Sequence, residues 1–110
     1  MEAIIGIYAG MALLLILMCV PMILERVPPN NWIGFRTPRT LSDPKVWYIA
    51  NRIAGQYLAV AGVLILITTG IISLFHSSVS PKAASLTLLT ISLTALVGAT
   101  VLSLIALRRI

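Results

Sequence analysis

Three stretches without a single charged residue dominate this chain: residues 3–24, 54–75 and 83–107. A helix needs ~20 apolar residues to cross the ~30 Å hydrocarbon layer of a bilayer, and each stretch is long enough. Lipid offers no partner for free backbone groups, so an isolated apolar span must be helical. Composition argues against a water-soluble core. Hydrophobic residues fill 59% of the 110 positions and charged residues only 10%, against roughly 25% charged in soluble domains. A chain this short has too little interior to hide so much apolar surface. The expected fold is a single all-α membrane domain over residues 1–110. It has three transmembrane helices, the second extended at its N-terminal end by an amphipathic lead-in.

The first stretch reads as a retained helix rather than a signal peptide. Glu2 is acidic, no Lys or Arg precedes the run, and the run exceeds the roughly 7–15 residues of an h-region. Three spans place the 25–53 loop and the C-terminal residues on one side. That side carries Arg26, Arg36, Arg39, Lys45, Arg52, Arg108 and Arg109; only Lys82 lies on the other. Basic loops stay in the cytoplasm. The expected topology puts the N-terminus outside, with the loop and C-terminus inside. Arg108 and Arg109 would anchor the last helix at anionic headgroups. The net charge of +5 thus reports topology, and no nucleic-acid partner is expected.

The 25–44 segment holds four of the six prolines, which excludes a continuous helix there. It is too rich in Trp, Ile, Phe and Leu for a solvated linker. An ordered loop at headgroup level fits, with Trp32 and Phe35 as interfacial anchors. A new helix should begin at Asp43-Pro44, an N-cap followed by a proline at the first helical position. From there to Phe75 nothing breaks helix. The excess length must project from the membrane or lie along it after a bend near Gly55. Val46, Ile49, Ala50 and Ile53 share one stripe of this lead-in, and Lys45, Arg52 and Gln56 another. Trp47 and Tyr48 flank the stripes and suit the headgroup zone.

Other features carry less chemistry. Gly6 and Gly10, and Ala95, Ala99 and Ser103, have the spacing of small residues that let helices pack closely, within the bundle or in a homo-oligomer. The hydroxyls of the third span can return their hydrogen bonds to the helix backbone, so no polar pathway is required. Cys19 is a small apolar filler. His76 has no companions for a metal. Three carboxylates, with no nucleophile–base pair and no phosphate loop, argue against an enzyme, and no cofactor is called for. No charge lies mid-membrane, which disfavours an ion-coupled transporter.

The loop itself is distinctive. Asn31-Trp32-Ile33-Gly34-Phe35-Arg36-Thr37-Pro38 is followed by Thr40-Leu41-Ser42-Asp43-Pro44, Val46-Trp47-Tyr48, Asn51-Arg52 and Ala54-Gly55. This order resembles the signature of the SdpI family: a Gly-[Ile/Phe]-Arg-Thr-Pro segment, a Ser-Asp or Ser-Ser turn, a Trp, an Asn-Arg or His-Arg pair and a small-residue pair. The resemblance covers about residues 28–60. Position 39 is Arg where the family often has an aromatic residue, and the chain looks like a short form of the family. The resemblance implies a bacterial plasma-membrane immunity protein. It would protect the cell from a secreted, membrane-active toxic peptide and hold a cytoplasmic repressor in signalling.

The resemblance also nominates binding residues: Asn31, Trp32, Gly34, Arg36, Thr37, Pro38, Ser42, Asp43, Trp47, Asn51 and Arg52. Gly34 would permit a tight turn or a close backbone approach. Arg36 and Arg52 are each expected to pair with Asp43. Two readings follow: a folded loop leading into a capped helix, or a basic, aromatic-lined pocket for a phosphate headgroup, a peptide carboxylate or an acidic partner. The immunity role heads the functional expectations. A membrane adaptor that captures a regulator comes next, and a small transporter or lipid-binding protein after it. Membrane lipids are expected partners under all three.

Overall fold

A computed structural model describes residues 1–110. Helix α1 spans Glu2–Ile23 and a short α2 spans Pro38–Ser42. Helix α3 spans Pro44–Leu74, and a 3-10 turn at His76–Ser78 leads to α4 over Pro81–Leu107. The three long helices are each long and apolar enough to cross a membrane. The molecule measures 51 × 22 × 18 Å, a rod one bilayer tall with a projecting end. Only 20 of 110 residues are buried, while Leu14, Leu17, Ile67, Leu93 and Val97 lie exposed along the helices. Water would not tolerate that continuous apolar surface; lipid does. This is a multi-pass membrane protein.

Local chemistry sets the helix boundaries. Three helices start with a polar cap followed by proline. Thr37-Pro38 opens α2, Asp43-Pro44 opens α3 and Ser80-Pro81 opens α4. Asp43 Oδ1 accepts from the Lys45 N–H at 2.9 Å, and Ser80 Oγ accepts from the Ala83 N–H at 3.1 Å. Helix α1 ends by a different device. Glu25 adopts a left-handed conformation, φ 58°. The Glu25 N–H then donates to Met22 O, and the Arg26 N–H reaches back to Pro21 O at 2.9 Å. This is the Schellman closure that glycine normally occupies.

Helix α3 is the central element, flanked by α1 and α4, which scarcely touch each other. It runs unbroken for 31 residues, ~46 Å at 1.5 Å per residue. The bend expected as one alternative near Gly55 is not there. Gly55 instead lies against α1: a Cβ on it would stand 3.0 Å from Ile23 Cγ1 and 3.2 Å from Cys19 O. Two turns further on, a Cβ on Gly62 would stand 2.8 Å from Ile16 Cγ1 and 3.3 Å from Ala12 O. These two glycines let the α1 and α3 backbones approach. Gly6 and Gly10 have nothing within 4 Å and pack no helix of this chain. On α4, Ala99 and Ser103 are buried.

Hydroxyls inside the spans return to their own helices as expected. Thr69, Thr100 and Ser103 donate to the carbonyls four residues back at 2.7, 2.9 and 2.7 Å. Ser92 Oγ does not, and is buried without a partner.

Candidate functional site

The signature residues assemble at one end of the rod, where the 24–37 segment folds back over the first turns of α3. Two side chains of α3 hold it. Trp47 is completely buried, and its indole N–H donates to Val27 O at 2.7 Å. Asn51, one turn later and also buried, grips a single residue of the loop from both sides. Its Oδ1 accepts from the Phe35 N–H at 2.6 Å, and its Nδ2 donates to Phe35 O at 3.4 Å and to Trp47 O at 2.9 Å. A side-chain amide carries both a donor and an acceptor, so Asn can pair a peptide unit as a neighbouring strand would.

Gly34 makes this approach possible. Its φ is +112°, and a Cβ there would lie 2.7 Å from Asn51 Oδ1 and 3.1 Å from Trp47 Cζ2. Both roles expected of this glycine, tight turn and close approach, are present at once. Preceding it, Asn30 Oδ1 accepts from the N–H groups of Trp32 and Ile33 at 2.8 and 2.7 Å. Arg36 Nε donates to Asn30 O at 2.9 Å. The result is a tied-down tip that presents Trp32, 91% exposed.

Downstream, the proline-rich stretch contains a helix that the sequence reading did not expect. Thr37 caps α2 reciprocally: its Oγ1 accepts from the Thr40 N–H at 3.1 Å, and Thr40 Oγ1 accepts from the Thr37 N–H at 2.7 Å. Thr40 is fully buried and its hydroxyl also reaches Phe35 O at 3.0 Å. Arg39 extends from α2 to the end of α4, where Nη1 donates to Leu107 O and Nη2 to Ile110 O. A cation there satisfies carbonyls that the helix leaves free and complements the negative end of its dipole. Thr40, Arg39, Asn30 and Glu25 were not singled out from sequence. Thr37-Pro38 with a hydroxyl at Thr40 was a legible helix start; nothing local pointed to Arg39.

Two expectations are corrected. Asp43 pairs with neither Arg36 nor Arg52, because its carboxylate is engaged as the α3 cap. Arg52 lies 3.5 Å from Glu25 instead, the one ion pair in the chain, and both side chains are over 40% exposed, which limits it to ~0–1 kcal/mol. Trp47 does not flank the lead-in at headgroup level. The buried face of these turns is Trp47, Ala50, Asn51 and Ala54, with Val46, Ile49 and Ile53 only half buried, while Lys45, Arg52 and Gln56 face outward.

The nominated residues thus separate into two sets. Gly34, Thr37, Pro38, Asp43, Trp47 and Asn51 build the fold of the loop. Asn31, Trp32, Arg36, Ser42 and Arg52 are exposed upon it. Neither Arg36 nor Arg52 lines the cavity of about 410 Å³ at this end, whose walls are Glu25, Lys45, Tyr48 and Ile49.

Asn51→Leu keeps the branched outline of Asn51, though it is bulkier, and strands the N–H of Phe35. Each unpaired buried group costs ~1–3 kcal/mol. The expected loss is ~3 kcal/mol, read as a lower thermal midpoint of the purified protein in detergent; a shift no larger than that of a surface substitution would show that the clamp is not structural.

Three spanning helices, with a loop sealed by a Trp and an Asn onto the projecting end of the central one, define a class of small membrane protein whose signature is first of all architectural. The chain belongs to the SdpI/YfhL protein family, whose sequence profile matches residues 26–107. A 36-residue stretch is 50% identical to the immunity protein SdpI of Bacillus subtilis (strain 168). That stretch is 33% of this chain and 17% of the relative. No solved structure matches.

Proposed function

We propose that this protein is a membrane-resident immunity protein that protects its cell against a secreted, membrane-active toxic peptide. The observation that carries this reading is family membership over residues 26–107, the folded-loop platform and the second and third spans, together with the stretch shared with an immunity protein. The platform faces the cytoplasm in this proposal, because seven of the eight basic residues lie at that end. The contact surface is the exposed set Asn31, Trp32, Arg36, Ser42 and Arg52, with Trp32 at its tip. An aromatic ring offers large contact area at low entropic cost.

Deleting the gene and challenging cells with the peptide tests the role. Sensitivity is expected to rise at least tenfold and to return to normal with the wild-type gene; unchanged sensitivity overturns the immunity reading. Trp32→Ala removes a side chain that nothing in the fold rests on. It is expected to accumulate normally yet protect poorly. Full protection by Trp32→Ala, with deletion still sensitising, would move the contact surface elsewhere and leave the immunity role standing.

A further inference from the structure

The lipid-facing side of the α3–α4 pair carries a groove that the platform does not use. Near the platform end it is a cavity of about 390 Å³ lined by Ile53, Tyr57, Leu102, Ile105, Ala106, Arg109 and Ile110. Deeper it continues as a second cavity of about 180 Å³, with Tyr57 and Leu102 lining both. Gly98 and Ala95 floor the deeper part. The walls are mostly apolar, with Tyr57 along both parts and Thr94 at the inner end, and the one charged lining residue is Arg109 at the mouth. The Arg39 guanidinium lies there too, since its Nη2 is bonded to Ile110 O at 2.5 Å. That bond and the one to Leu107 O leave other N–H donors of Arg39 without a partner inside the fold.

We propose that this groove binds one acyl chain of an anionic phospholipid, with the phosphate held at the mouth by Arg109 and the positive charge of Arg39. Three observations support that occupant. The groove is uncharged and mostly apolar along its length and positively charged only at the end carrying the basic residues, which matches an anionic headgroup on an apolar chain. From Leu107, its last residue, to Thr94, which lines the inner end of the groove, α4 rises ~20 Å. One leaflet of hydrocarbon is ~15 Å deep, half of the ~30 Å core, so the groove runs from headgroup level to about the midplane. Gly98 leaves the floor open, with nothing within 4 Å of where its Cβ would be.

The test is native mass spectrometry of the full chain in detergent with equal amounts of phosphatidylglycerol and phosphatidylcholine. The wild type is expected to retain one phosphatidylglycerol in preference to phosphatidylcholine. Arg109→Gln should lower that preference ~5-fold, the equivalent of the ~1 kcal/mol a basic residue contributes at an anionic surface. Gly98→Leu places a side chain in the groove, its Cβ meeting nothing within 4 Å, and should abolish retention of both lipids. Gly6→Leu, equally open but on α1, should leave retention unchanged and serves as the control. Equal retention of the two lipids by the wild type overturns the proposal. So does wild-type retention in Gly98→Leu, or a lipid-free dimer whose interface covers the groove.

Discussion

Trp47→Ala is expected to release the 24–37 segment from α3 and to cost ~3–5 kcal/mol, the range for deleting a large buried aromatic side chain. Trp47 is the largest fully buried side chain in the molecule, and two contacts depend on it. Its ring is the surface over which Gly34 closes, and its indole N–H satisfies Val27 O. Removing it opens a cavity beneath the loop and strands a carbonyl. The consequence should be local first, because the helices are held by separate contacts along the α1–α3 seam. Trypsin reports this directly. Arg36 lies within that segment and Arg39 just beyond it on α2, and cleavage after either requires the backbone to leave its place. Wild-type protein in detergent should resist; Trp47→Ala should be cut rapidly while the three spans remain intact. Trp47→Phe keeps an aromatic ring but loses the donor and part of the indole's volume, so it should fall between wild type and Trp47→Ala. Equal cleavage rates for all three proteins would mean that Asn51 and α2 hold the loop without the indole.

Gly62→Leu should also be damaging, in a different place. A Cβ at Gly62 already meets Ile16 Cγ1 at 2.8 Å and Ala12 O at 3.3 Å, and a whole isobutyl group must force α1 away from α3. Overpacking of this kind costs ~1–3 kcal/mol or more. In lipid it is not offset by hydrophobic burial elsewhere, because separated helices simply contact acyl chains. Part of the clash is with a side chain and part with backbone. Shortening the side chain should therefore restore part of the loss: Gly62→Ala with Ile16→Ala is expected to unfold closer to wild type than Gly62→Ala alone. Gly70→Ala, with nothing within 4 Å, is the control and should be neutral or mildly stabilising, since Ala suits a helix better than Gly. Thermal unfolding in detergent distinguishes these outcomes. A Gly62→Leu protein as stable as wild type would show that α1 is free to shift and that the seam is not tightly packed.

The family membership expected from the loop signature holds, and so does the all-α architecture. Several details were legible because they are local. Asp43-Pro44 marks the start of α3 through the chemistry of two adjacent residues, and the cap forms as expected. The same chemistry at Thr37-Pro38 was hidden by proline density. A run of prolines reads as a helix breaker, yet one turn of helix fits between Pro38 and Pro44. The pairing of Asp43 with Arg36 or Arg52 failed for a related reason. A carboxylate directly before a helix has a near partner in the backbone, and the nearer donor was met first. The lead-in was read as a stripe of Val46, Ile49, Ala50 and Ile53, but its buried face is rotated towards Trp47 and Asn51. That rotation follows from what lies above it. Asn51 is inside because Phe35 presents a peptide unit to it, and nothing in residues 44–56 announces that.

By itself the sequence determined the number of spans, the overhang of the second and the end at which the charges gather. Each of these depends on transferring backbone and charge into lipid, a cost that accrues residue by residue and needs no knowledge of neighbours. The tertiary structure alone decided which faces meet. In a soluble bundle an apolar stripe marks the inward side, but here lipid-facing and helix-facing residues are equally apolar, so periodicity carries little information. Gly6 and Gly10 have the familiar spacing and face open space, whereas Gly55 and Gly62 form the seam, because contact between helices in lipid is settled by close steric fit rather than by hydrophobicity.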